Sequence, residues 1–574
     1  MADPAARDPA VQNGAEQDLA VQDRAAKDAV ALVWAARANA RGALDLAYLL
    51  YLVVITILVI AVPLLRELGL LLARPDVLPV ISAPAAGGLM TAGLLLAAGL
   101  LVLLGASRGP AVLPPFFVVT LASSHRPRRT ALVRPFARTG TALAIGLLAL
   151  AGVIGWVLVL GEATNPAGAV ALGIAGLGTT ALLEGAWLAG QILPGGGRRV
   201  LALVLGLAGA GAVLGTVRGA AGRHLLALAY PVGGAEAGVP WIAALAVLVL
   251  GLLVAILCVP ALDRVRGTVL LEQAGRWESA LTSARSGDLA AAAGTYRVRP
   301  SAGRRLPAVR AGTRGARGGR GGRAEGAGSA GRIGGSGRAA TSAALISLYL
   351  RRDLVAVVRT PERLVLGVLG VLAASILLVA ARLLMGPLGF AALVLGALLL
   401  WSASGVFVDG LRHGVESLGA PRLLAQGVGA QVLLHSLAPL LVTGLLSVLG
   451  SGLGALVLPG PGPGPGAGTV GALAVVLAPA LVPLMIIGRA RDAAKGPMPL
   501  ALATPIPTPQ GDASILPLVA WQADAILFAL LAAGLLFLAL GASWAWGIGL
   551  WAVAGALLAS DAQRRVQDLS RGGR

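Results

Sequence analysis

The sequence predicts an all-α polytopic membrane protein with about twelve transmembrane helices in two six-helix halves, both termini cytosolic. Three observations carry that expectation. The first is composition: of 574 residues, 57% are hydrophobic and 13% charged, with mean hydropathy +0.84. A soluble domain is nearer roughly 25% charged, so water cannot be the solvent for most of this surface and lipid must be. The second is that apolar stretches recur at the length of about 20 residues that a bilayer-spanning helix requires. The third is where the basic residues fall. With the N-terminus inside, the external segments carry only Arg66, Arg74, Arg218, Arg223 and Arg382. Every other Lys and Arg is cytosolic, and the cytosolic excess survives when the long central loop is set aside, as the positive-inside rule requires.

Taken in order, residues 1–29 are polar, Ala-rich and mildly acidic. They lack the basic start and apolar run of a signal peptide and read as a disordered cytosolic tail. Residues 30–261 form the first membrane half, with spans near 44–65, 86–104, 140–161, 167–193, 200–217 and 239–261. Residues 262–343 form a cytosolic segment with a short helix before 296 and then a Gly/Arg-rich linker. Its "RGARGGRGGR" has no aromatic residue to stack on a base, so nucleic acid is not an expected partner. The second half, 344–561, has spans near 364–384, 387–408, 430–458, 468–488, 517–540 and 542–560, the third of them overlong. Residues 562–574 close the chain as a basic cytosolic tail. A net charge of +20 gathered on the cytosolic face makes anionic lipid the default partner.

The stretch "SLYLRRDLVAVVRTPERLVLGVLG" stands at the head of the second half. Ile346, Leu350, Leu354 and Val357 share one helical face, while Arg351, Arg352, Asp353 and Arg359 project elsewhere, as in a helix lying in the membrane interface. Thr360 and Pro361 then fit an N-cap followed by Pro at the first helical position, with Glu362 in the first turn. The N-terminal counterpart is Ala31 to Tyr51, where Arg37 and Arg41 precede the first span.

Two cytosolic loops occupy matching places after the second span of each half. Gly105 to Gly140 is too apolar for plain linker. Pro114 and Pro115 interrupt it, and Arg126, Arg128, Arg129, Arg134 and Arg138 follow. A short amphipathic helix facing a cytosolic partner explains the mixture; lipid-facing flanks are the plainer alternative. Val408 to Gly427 carries Arg412, Glu416 and Arg422. Inside the spans, Glu184 is followed by Trp187 and Gln191 on one polar stripe, and Asp524 sits near the N-terminal end of its helix. An intramembrane carboxylate is costly, so either is a candidate polar site or a hydrogen-bonded packing contact.

Several classes are disfavoured. Both lysines, in "AAKDA" and "AAKGP", lack the Gly-Lys-Ser/Thr of a phosphate-binding loop, so the chain itself is not expected to hydrolyse ATP by that mechanism. His125, His224, His413 and His435 are scattered and form no metal-ligand spacing. No cofactor is expected in this chain, and no motif announces an enzyme.

An interfacial elbow helix, a loop after the second span and six spans per half together resemble the permease subunits of ABC-2-type exporters, here with two halves fused. Similar large membrane proteins occur in high-GC bacteria, and Pro499 to Gly534 is the most family-like stretch. The resemblance implies separate ATPase subunits as partners and ATP bound by those partners. It implies an inner-membrane location and export of a hydrophobic or amphiphilic substrate. It maps the elbow to Leu350–Arg363 and the coupling loops to Pro114–Arg138 and Gly410–Arg422. Two readings stay open beside it: an ion-coupled secondary transporter with Glu184 as the coupling acid, and a noncatalytic membrane scaffold. "LDRVRG" resembles the loop signature of the major facilitator proteins but follows the sixth span instead of the second.

Overall fold

In the computed structural model, the only departure from helix and loop among the described residues is one short antiparallel pair, β1 (Pro507–Thr508) with β2 (Gly511–Asp512). The structure describes residues 43–75, 77–122, 127–217, 224–232, 238–285, 335–384, 386–416, 427–458, 467–495 and 515–572, with a few isolated positions besides. Nearly all of the N-terminal tail, the Arg37/Arg41 segment, Arg126, the linker through residue 334, Arg422 and most of the Pro-Gly turn after Leu458 lie outside them.

Among the described residues, eleven helices are long and apolar enough to cross a membrane; a bent pair, Leu388–Ser404 with Asp409–Val415, broken by 65°, would make a twelfth. The chain is therefore a multi-pass membrane protein by helix length and composition. Leucine and isoleucine side chains such as Ile256, Leu257, Leu445 and Leu538 are each more than 60% exposed on these helices. In water each would forgo about 1.5–3 kcal/mol of burial; against acyl chains that penalty is absent.

The chain divides into two compact units, Met1–Ser286 with Ala290–Tyr296, and Gly287–Leu289 with Arg297–Arg574. In the first, α1 (Ala43–Thr56) and α2 (Val62–Leu72) are joined by a π-helical turn and make one peripheral span. After α3 (Leu78–Ile81) and α4 (Ala85–Leu104), α5 (Pro115–Phe117) runs into a second π-helical turn, Val118–Ala122. Then follow α6 (Arg129–Leu160), α7 (Pro166–Ile192), α8 (Gly195–Val217), α9 (Leu225–Leu228), α10 (Val239–Ala261) and α11 (Gly267–Arg285). The loop prolines do not exclude a helix here. Pro114 is the N-cap of α5 and Pro115 its first residue, where a missing N–H costs nothing.

α7 is the axis of this unit, packing on α4, α6 and α10. It starts at Asn165, whose side chain accepts from the Gly168 N–H at 2.7 Å, with Pro166 next. At its crossing with α10 the backbones nearly touch. A Cβ on Gly178 would lie 2.4 Å from Val247 O, and one on Gly251 2.4 Å from Gly178 O. Without a hydrophobic drive between helices in lipid, such close approach by small residues is what holds spans together. Tyr230, in the loop after α9, donates to Ile81 O at 3.0 Å, and burial pushes its pKa up to about 12.

The second unit comprises α12 (Gly335–Val358), α13 (Pro361–Leu383), α14 (Gly386–Ser404), α15 (Asp409–Glu416), α16 (Val428–Val457), α17 (Ala467–Ala493), α18 (Ile515–Ala542) and α19 (Trp544–Gly572). α13 packs on α14, α16 and α17, and Leu378, Leu400, Leu477, Leu481 and Met485 form the centre of the core. The overlong third stretch of this half is a single 30-residue helix, α16, despite Pro439 inside it. Pro361 does open α13, as its position in the sequence requires. Thr360 occupies the N-cap position but does not cap: its hydroxyl donates back to Val357 O at 3.2 Å, closing the turn at the end of α12.

Candidate functional site

The polar groups of the second unit gather at one end, where α13, α16 and α18 begin and α14 and α17 finish. α12 supplies Tyr349 and Asp353, one turn apart and both buried. α16 supplies His435, which has no exposed surface; its Nδ1 lies 2.8 Å from Asp353 Oδ2, and the Tyr349 ring meets it edge-on at 4.7 Å. Over this pair lies α15. Gly410 and Gly414, four residues apart on its inner face, leave room for it: a Cβ at 410 would stand 2.3 Å from Asp353 Oδ1, and one at 414 2.8 Å from His435 Cδ2. Asp409 at the N-terminus of α15 accepts from Arg363 at 2.5 Å. Asp353 Oδ1 and His435 Nε2 have no hydrogen-bond partner among the described residues.

This corrects the reading of the elbow face. Asp353 does not project with the arginines; it is the most buried of the group, while Ile346 and Leu354 are about 40% exposed. The reason is the solvent. A helix at a lipid interface offers its apolar face to acyl chains, so the protein-facing side holds the polar residue. Arg351 and Arg359 are half-buried, Arg352 is exposed, and Pro361 starts α13.

Next to this pair lies a net of charges. Arg489 of α17 is buried; it stacks on Trp401 of α14 at 3.8 Å and donates to the Trp401 carbonyl. Arg412 of α15 reaches Asp492 at 3.7 Å. Arg491 binds Asp524 at 3.0 Å and Asp561 at 2.6 Å; Lys495 binds Asp524 at 2.5 Å and lies 4.2 Å over the Trp521 ring; Arg565 of α19 adds to both carboxylates. Asp524 is thus the shared counter-ion of three cations, Arg491 of α17, Lys495 in the turn after it and Arg565 of α19. Glu416 ends α15, but its side chain lies outside the described residues.

In the first unit the matching loop is fastened with amides. Gln191 of α7 donates to Ala111 O at 3.2 Å and to Gln273 Oε1 at 2.8 Å. Gln273 of α11 donates to Gly105 O and Ala106 O and accepts from the Gly109 N–H. Trp187 donates to Arg108 O at 2.7 Å, and the Arg108 guanidinium stacks on Trp277 at 3.8 Å. Glu184 sits one turn before Trp187, buried over Gly140 of α6, where a Cβ would be 2.3 Å from its Oε2; Glu184 Oε1 has no hydrogen-bond partner among the described residues. The polar stripe of Glu184, Trp187 and Gln191 therefore exists, and two of its three members tie down a loop.

Of the loop arginines, Arg128 turns inward while the Arg129 side chain is half exposed. Arg128 donates to Ala122 O and to Val265 O, and the Arg129 N–H donates to Asp263 Oδ1 at 2.8 Å. Arg134 is exposed on the first turns of α6. The sequence pointed to none of Gln273, Arg489 and Trp401, and set His435 aside only as one of four scattered histidines. The Gly410/Gly414 spacing and a lone histidine in the apolar "VLLHSLAP" were the available signals. No cluster of three or more His, Cys, Asp or Glu side chains suited to a metal ion occurs among the described residues. No protein-family model, curated protein or solved structure matches the chain.

Proposed function

We propose that the chain is the membrane-spanning component of an exporter powered by separate ATPase subunits, with two six-helix halves, both termini cytosolic and the charged ends on the cytosolic side. The cargo class is hydrophobic or amphiphilic. The observation that carries this reading is the seat of α15 on the Asp353–His435 pair. A partner pressing on α15 acts at once on α12 and α16, so a force delivered at one short surface helix reaches two long elements. Coupling also requires that the partner bind two states unequally. Among the described side chains of α15, His413 is the exposed one, with the half-buried Arg412 beside it. Arg128 holds its own loop together and is a poor candidate for docking.

The test is affinity purification of the full chain from native membranes. The expected result is co-purification of an ATP-binding-cassette ATPase, lost in the Arg412→Glu, His413→Glu double variant while the protein stays monodisperse. Absence of any such ATPase, or its retention by the variant, would refute the assignment. Topology is read by labelling single cysteines placed in α15 and between α18 and α19, in a Cys258→Ser background that has no other cysteine. Glu184 supports a second reading, an ion-coupled transporter, because a buried acid with an unpartnered oxygen is a site that can take up a proton. Uptake into vesicles driven by a proton gradient without ATP, and abolished by Glu184→Gln, would decide for it.

A further inference from the structure

Arg382 lies at the other end of α13 from Arg363, 19 residues and roughly 28 Å along the helix, close to the roughly 30 Å thickness of a bilayer core. Trp544 and Trp546, both exposed, open α19 immediately after α18 ends, and tryptophans of this kind mark a membrane–water interface. Arg382 stacks on Phe537 of α18 at 4.0 Å and donates to the Phe537 carbonyl. No carboxylate pairs with it among the described residues. The sequence flanking this end of the second unit offers none either: residues 364–408, 428–488 and 525–560 contain no Asp or Glu. At the charged end, by contrast, Arg363, Arg412, Arg491 and Lys495 each have an acidic partner, and Arg489, stacked on Trp401 in the same way as Arg382 on Phe537, is buried within that net of charges.

Beside this arginine is a pocket of about 380 Å³, walled by Leu384, Phe390, Leu393, Gly534 and Leu538. That falls in the range of about 300–1,000 Å³ usual for small-molecule sites. It has the composition such sites share, apolar walls with one fixed polar group. Gly534 keeps it open, since nothing lies within 4 Å of where its Cβ would be.

We propose that this is a binding site for an anionic phospholipid, with the phosphate on Arg382 and an acyl chain in the pocket. Charge complementarity selects the occupant. A guanidinium at the membrane interface without a side-chain counter-ion is neutralised by the anion its surroundings supply, and an apolar slot beside it suits the tail of the same molecule. A zwitterionic lipid offers the tail but carries its own cation next to the phosphate. The inference is independent of how the chain is energised.

The experiment reconstitutes the full chain in vesicles containing phosphatidylglycerol with a photoactivatable diazirine on one acyl chain, and in parallel the phosphatidylcholine analogue. Crosslinked positions are mapped by mass spectrometry. Phosphatidylglycerol should label residues 384–393 or 534–538, and Arg382→Gln should reduce that labelling about tenfold, the loss expected for one charge-assisted contact. Gly534→Leu fills the pocket while leaving the arginine and its partners in place, and should reduce labelling equally. Equal labelling by phosphatidylcholine, retention of labelling in either variant, or crosslinks confined to other parts of the chain would each overturn the proposal.

Discussion

Replacing His435 with Ala removes the partner of a carboxylate that is 3% exposed. Stripping the partner from a buried hydrogen-bonded group costs about 1–3 kcal/mol, and more where the group left behind is a carboxylate. Asp353→Ala instead leaves the imidazole with both nitrogens unpartnered at 0% exposure, which costs about 1–3 kcal/mol for an unsatisfied buried group. The double variant leaves neither orphan, so it should cost less than the sum of the singles by roughly 1–3 kcal/mol. A loss of about 3 kcal/mol in a unit of this size lowers Tm by about 6–12 °C. Thermal unfolding of the detergent-solubilised protein reads this through Trp401 and Trp521, which lie in the same unit. Asp353→Asn keeps an acceptor of the same shape and should recover most of the loss. Trypsin cleavage after Arg412 should quicken in the Ala variants, because α15 loses the surface on which Gly410 and Gly414 sit. If the two single losses add to within about 0.5 kcal/mol, the residues do not touch and the seat of α15 is wrong.

Three further outcomes are expected. Gly178→Val should abolish the monodisperse elution peak, since its Cβ would stand 2.4 Å from Val247 O on α10, whereas Gly173→Val, with nothing within 4 Å, should elute normally; normal elution of both would refute the crossing. Gln273→Leu should expose the 105–113 loop to protease and cost about 1–3 kcal/mol, read as a Tm drop, because it strands the Gly105 and Ala106 carbonyls. Trp401→Ala should cost about 3–5 kcal/mol for an aromatic core truncation and leave Arg489 without the ring it stacks on; a Tm within 2 °C of wild type, well under what such a loss implies, would show that the stack contributes little.

What the sequence could and could not reveal follows from the range of the forces involved. The spans were legible because bilayer thickness imposes a length on every crossing helix, and Pro361 was legible as a helix start because its ring constrains its own backbone. The pairings were not. Asp524 and Arg491 are 33 residues apart, Asp353 and His435 82, and helical periodicity says which residues share a face without saying which faces meet. Arg128 and Arg129 show the limit of charge as a signal, since a cation that anchors a loop to Val265 and Asp263 is spelled the same way as one that greets a partner. Asp353 was misread for a different reason. Amphipathic reasoning assumes the apolar side faces inward, and that assumption inverts where the surroundings are acyl chains.

Both units face one mechanical problem, fastening a connecting loop to the ends of a helix bundle, and they solve it with different chemistry. The first fastens residues 105–111 with neutral amides, Gln191 and Gln273, whose hydrogen bonds carry no net charge, and has one partly exposed ion pair, Arg129–Asp263, further along the loop. The second pins α15 with two partly exposed ion pairs, Arg363–Asp409 and Arg412–Asp492, which salt screens over a Debye length of about 8 Å at physiological ionic strength. A loop held by amides stays where it is as conditions change. One held by screened charges can be loosened by a competing charge from outside, and Arg412, joined to Asp492 at 3.7 Å, makes the longer of the two ion pairs on α15. If one of the two loops responds to a docking partner, the chemistry selects α15, and the seat of that helix on Asp353 and His435 is where the response would enter the membrane.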